Sequence, residues 1–119
     1  MAFRFESLEI WRLAIDYADE LYEVSNKFPA EEKFALMNQL KRAAVSISNN
    51  IAEGSGSATT KNFMSFLDIS IKSTLETVNI LYFAQKRNYI TEDIRRNLYD
   101  KAESLIKQIR AFKKSLIKP

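Results

Sequence analysis

Only two glycines and two prolines punctuate 119 residues, and that scarcity limits the fold more than any other feature. A β-sandwich or barrel reverses every 8–12 residues or so and needs turn residues each time. Here three short breaks, at 26–29, 54–57 and 88–91, divide the chain into four helical segments. Pro29 biases Phe28 out of the α region and can open the next helix. Gly54 sits where a helix-ending C′ residue would be, with Ser57 or Thr59 as the next N-cap. Thr91 precedes Glu92 and Asp93, an N-cap followed by acids suited to the positive helix end. The expected helices lie near 7–26, 30–53, 58–88 and 91–117. Short loops between long helices make sequential neighbours antiparallel, so the expectation is all-α: one up-down-up-down four-helix bundle spanning 1–119.

Composition supports a packed domain and removes much chemistry. Apolar residues make up 46% and charged residues 28%, and a chain of this mass buries roughly two-thirds of its unfolded surface. There is no cysteine and no histidine. Disulfides, thiolate nucleophiles, cysteine-ligated metals, histidine bases and the Glu-x-x-His of di-iron bundles are therefore excluded. We nominate no catalytic residue, no metal site and no cofactor. Gly54-Ser55-Gly56-Ser57 follows a helix and lacks the Gly-Lys-Ser/Thr ending of a phosphate loop, so it reads as a turn. The first residues carry charge where a signal peptide needs its apolar run. The longest uncharged stretch, 43–52, falls far short of a membrane span. A cytoplasmic protein without a membrane partner is the expectation.

The helix faces carry more information. In the first helix, Leu8, Trp11, Ile15, Ala18 and Tyr22 form one seam, and Ile10, Ala14, Tyr17, Leu21 and Val24 form another. Together they cover roughly 160° of the helix, slightly more than a bundle core needs. A generous core face explains that, and so does a second face buried against another subunit. The third helix is apolar around much of its circumference, from Phe63 to Phe83, and self-association accounts for the excess most simply. In the second helix Gln39, Arg42, Ser46, Asn49 and Glu53 step along one side, with Asn50 beside them and Glu76 facing from the third helix. This is either a buried network centred on Arg42, whose guanidinium has five donors, or a solvated face.

Charge is unevenly distributed. Residues 1–40 hold eight acids and four bases, whereas the last thirteen residues hold five bases and no acid. An acidic first helix and a basic last helix suit each other as neighbours, and the surplus suits a polyanion. Lys107, Arg110, Lys113, Lys114 and Lys118, with Arg87 and Arg95, are the candidate contacts to RNA or DNA. No base-reading signature accompanies them, so the expected target is phosphate backbone. A solvated basic tail that complements the helix dipole is the alternative.

The run Phe28-Pro29-x-x-Glu32-x-Phe34-x-Leu36-x-x-Gln39-x-x-Arg42-Ala43-Ala44-x-Ser46-Ile47-x-x-Asn50-Ile51-Ala52-Glu53-Gly54 resembles the bacterial 23S rRNA-intervening-sequence proteins, also called S23 ribosomal proteins. Leu8-x-Ile10-Trp11-x-x-Ala14 and the segment from Phe66 to Glu76 fit the same pattern. The sequence departs from it at Ser48, where proline is usual, and at Lys72, where glycine is usual. The resemblance implies a four-helix bundle assembled into a homo-oligomeric ring, most often a pentamer, with no enzymatic activity. A related fold serves diversity-generating retroelements as the accessory variability determinant. For that relative the resemblance implies nucleic-acid binding and a reverse transcriptase as partner. The expected function is thus a non-enzymatic, self-associating bundle that binds nucleic-acid backbone; the alternative is a structural or protein-interaction module.

Overall fold

The computed structural model describes residues 2–117, and four long helices make up most of it: α1 (Glu9–Ser25), α2 (Leu36–Ser55), α3 (Thr60–Lys86) and α4 (Glu92–Ser115). They run up-down-up-down as an antiparallel bundle 48 Å long. Helices adjacent in the cycle α1–α2–α3–α4 pack side by side, and α2 against α3 is the most extensive pairing. One hydrogen bond crosses the diagonal, between Tyr17 Oη and Thr77 Oγ1 at 2.9 Å. The acidic first helix does neighbour the basic last one, and Lys101 pairs with Glu20 across them.

Local chemistry sets the helix ends. Thr59 accepts from the Asn62 amide at 3.1 Å, which settles the start of α3 in its favour over Ser57, and Thr91 accepts from the Ile94 amide at 3.2 Å. Two sequence expectations need correction. The second helix begins at Leu36, not at 30, because residues Ala30–Glu32 form a 3₁₀ turn and Ala35, at φ −122° and ψ −103°, breaks the helical path. Glu32 then reaches forward to accept from the Leu36 amide at 3.3 Å and takes the Tyr89 hydroxyl at 2.7 Å. Gly54 does not end α2; the helix continues to Ser55 and Gly56 caps it. Nor does Ser48 interrupt α2, where its hydroxyl donates to the Val45 carbonyl at 3.3 Å.

Leu21, Leu40, Ile47, Ile51, Leu67, Leu81, Leu98 and Ile109 are fully buried; in α1 the seam of Ile10, Ala14, Tyr17 and Leu21 faces this core, whereas Ile15 and Tyr22 of the other seam are exposed. The face of α3 turned toward α2 is different. Ser70, Ser73, Thr74 and Thr77 are buried there, while Ile69, Leu75, Tyr82 and Phe83 of the same helix are exposed. The small hydroxyl residues let the two backbones approach. They are satisfied across to α2 or within α3: Ser70 Oγ donates to the Ile47 carbonyl at 2.9 Å, Thr74 to the Ser70 carbonyl at 2.8 Å and Thr77 to the Thr74 carbonyl at 2.6 Å. Among the described residues no buried side-chain polar atom lacks a partner.

Candidate nucleic-acid interface

Helical spacing puts Lys107, Arg110 and Lys114 on one side of α4, because steps of three and four residues return to the same face. All three are exposed. None forms an ion pair among the described residues. Cations in this state keep their full charge available to a polyanion.

The other candidates are differently employed. Lys113 Nζ donates to Asp68 Oδ1 at 2.6 Å and ties α4 to α3. Arg95 is largely buried: its Nε donates to Gln85 Oε1 at 2.8 Å, and its guanidinium lies 4.5 Å from the Tyr82 ring centroid and 5.9 Å from that of Tyr99. Arg87 is exposed at the end of α3, away from the α4 stripe along the bundle. The Tyr89 phenol beside it, and then Glu32 and Glu31, favour its charge and push its pKa up. Lys118 lies outside the described residues. Arg96 turns back to Glu92 at 3.7 Å rather than forward to Asp100.

The polar seam of α2 divides in the same manner. Ser46 Oγ and Ser73 Oγ are 2.8 Å apart, and Asn50 Nδ2 donates to the Ser46 carbonyl at 2.8 Å and to its hydroxyl at 3.0 Å. Gln39, Arg42, Glu53 and Glu76 are exposed, and Gln39, Arg42, Ser46 and Glu76 line an open surface groove. The hydrogen-bonded network of Ser46, Asn50 and Ser73 therefore does not include Arg42, and of the two readings of the seam the solvated face is the one that holds for it. Small side chains close the α2–α3 contact beneath it and leave no interior space for a guanidinium, which stays in water.

A groove of about 220 Å³ that no sequence motif marks lies between α3 and α4, and its lining includes Leu75, Val78, Tyr99, Ile106, Lys107 and Arg110. Tyr82 lies in the apolar run 80–84, which gives no sign of which members face outward, and Leu75 stands alone between Thr74 and Glu76, where a single apolar residue marks no groove. A second apolar area lies on the α1–α2 side, where Ile15, Tyr22 and Val45 are each about 40–46% exposed. Lys41, one turn from Val45, places its ammonium 5.0 Å from the Tyr22 ring centroid.

A family model described as 23S rRNA-intervening sequence protein matches residues 6–111. Among solved structures, a protein of unknown function from the S23 ribosomal protein family of Bacteroides thetaiotaomicron superposes with a TM-score of 0.80 at 22% identity, covering 88% of this chain and 98% of that one. That likeness establishes the bundle fold. No curated protein matches the chain significantly.

Proposed function

The chain belongs to the 23S rRNA-intervening sequence protein family, and from that premise we propose that it is a non-catalytic, self-associating bundle that holds RNA or DNA by the phosphate backbone. The observation that carries this reading is the stripe of Lys107, Arg110 and Lys114, exposed and without an acid partner among the described residues. Lys113 and Arg95 position the stripe and its surroundings; they are not free contacts. No described helix is long and apolar enough to cross a membrane, and we place the protein in the cytoplasm, where such a target is at hand.

The test is fluorescence anisotropy with labelled oligonucleotides over a salt series. Sequence-tolerant binding in the micromolar range is expected at about 50 mM salt. Three neutralised phosphates predict a slope of log K against log salt near −2 on single strands. Lys107→Glu/Arg110→Glu/Lys114→Glu should abolish that binding and its salt dependence. Equal binding by variant and wild type overturns the role of α4. Absence of binding by either leaves the protein-interaction reading, which the exposed apolar residues Ile69 and Phe83 favour.

A further inference from the structure

Phosphate binding alone gives no reason for what lies beside the α4 cations. In the α3–α4 groove, Leu75 is 52% exposed and Tyr99 36% exposed, and Lys107 and Arg110 stand on the same α4 wall as Tyr99. Tyr99, Glu103, Ile106 and Arg110 follow one another at steps of four, three and four along that wall. At one end the Tyr82 ring, 46% exposed, meets Tyr99 edge-on, with centroids 6.3 Å apart and planes at 84°. Arg95 holds the two rings in place, since its guanidinium lies against both and is itself fixed by Gln85. The result is an apolar and aromatic floor with two cations on its bank that form no ion pair among the described residues.

Two physical considerations select the occupant. A duplex presents phosphates outward and keeps its bases stacked and paired, so this floor would stay uncovered beneath it. A single strand can place phosphates on Lys107 and Arg110 while turning bases down onto Tyr99 and Leu75. At about 220 Å³ the groove is also smaller than the roughly 300–1,000 Å³ of a typical small-molecule pocket, which fits a piece of a longer chain better than a free ligand. Glu103, the acid in the lining, repels a phosphate but can accept a hydrogen bond from a base amino group.

We infer that the α3–α4 groove is a single-strand subsite, binding RNA or DNA with bases against Leu75 and Tyr99 and phosphates on Lys107 and Arg110. This rests on the backbone-binding reading above and sharpens it by excluding the duplex as the preferred ligand. The experiment compares a labelled single strand with the duplex of the same sequence, at one salt concentration, for wild type, Tyr99→Ala, Leu75→Ser and Tyr99→Phe. The single strand should bind more tightly. Tyr99→Ala should weaken it about tenfold, the size of one lost base stack, and Leu75→Ser should weaken it too through lost apolar contact, while duplex affinity and the salt slope stay unchanged. Tyr99→Phe, which keeps the ring, should bind as wild type does. Equal affinity for strand and duplex, or equal loss on both ligands in Tyr99→Ala, overturns the subsite and leaves backbone binding intact. Failure of wild type to bind either ligand overturns both readings. Light scattering on Tyr99→Ala distinguishes one further occupant: if the assembled mass falls together with binding, the groove holds a second copy of the chain and the single-strand assignment is wrong.

Discussion

A methyl group added to Gly54 would stand 2.7 Å from Cβ of Phe66 and 2.9 Å from Cδ1 of Phe63. Both neighbours belong to α3, and a Cβ on the opposing helix cannot swing away as a flexible side-chain tip would. Gly54→Ala should therefore cost about 1–3 kcal/mol by overpacking, despite alanine's better helix propensity; urea denaturation measures it, and a gain in stability would refute the close approach. Glycine most often serves at a helix end, which is where the sequence suggests Gly54 should stand. The competing use, making room for the side chains of an opposing helix, leaves no local trace in one sequence. Tyr17 poses a different problem. It is 3% exposed, and burial pushes its phenol up to about 12, more than the Thr77 hydrogen bond lowers it. An unfolded tyrosine ionises near 10. The folded pKa is the higher one, so the contribution is fully present below about pH 10 and is lost as pH rises through about 12. Stability should fall across that window, and ultraviolet titration should show one phenol ionising after the rest. Tyr17→Phe should flatten this part of the pH dependence.

Among the elements, breaks were easier to read than starts. The first and third interruptions begin where the turn residues stand, the middle one falls two residues later than Gly54 suggests, at 56–59, and Thr91 caps α4 as its sequence context suggests. What the sequence does not disclose is that 30–35 stays outside α2, with a 3₁₀ turn at Ala30–Glu32 and Glu32 accepting from Tyr89 of a distant loop. The α3 face was similarly hidden: the helix buries Ser70, Ser73, Thr74 and Thr77 and exposes Leu75 and Tyr82, an exchange that residue type alone argues against. Arg42 was ambiguous for the same reason, because whether a polar seam is covered depends on the size of the residues opposite. The α3 terminus has a clear physical logic. Asn88 adopts φ 63°, its amide donates to the Gln85 carbonyl at 2.9 Å, and the Tyr89 amide donates to the Ala84 carbonyl at 2.9 Å. This is a Schellman ending with asparagine in the left-handed position. Asn88→Ala should destabilise the fold by about 1–2 kcal/mol, whereas Asn88→Gly should not; thermal unfolding of the pair separates a backbone effect from a lost side-chain contact.

At the scale of the whole molecule, exposed apolar area is the feature that favours the proposed self-association. Its accessible surface is 7,336 Å², against roughly 6,600 Å² expected for a compact chain of this mass. Part of the excess follows from the 48 Å length, and part is apolar side chain that water does not favour. The α1–α2 side, with Ile15, Tyr22 and Val45, lies across the bundle from the α3–α4 groove, so self-association there would leave the α4 cations open. A pentamer of a +3 chain would carry fifteen net positive charges and repeat each stripe five times. Contacts too weak singly would then reinforce one another through effective concentration. Multi-angle light scattering should give a mass near five times 13.8 kDa, and dilution should lower both mass and thermal stability together. Ile15→Glu/Val45→Glu should reduce the particle to the chain mass while far-ultraviolet circular dichroism stays helical, because both side chains already face water in the isolated bundle. It should also weaken oligonucleotide binding without touching a phosphate contact. A wild type that stays at 13.8 kDa across the concentration range, or a double variant that keeps the full assembled mass, would rule out this face as the site of assembly.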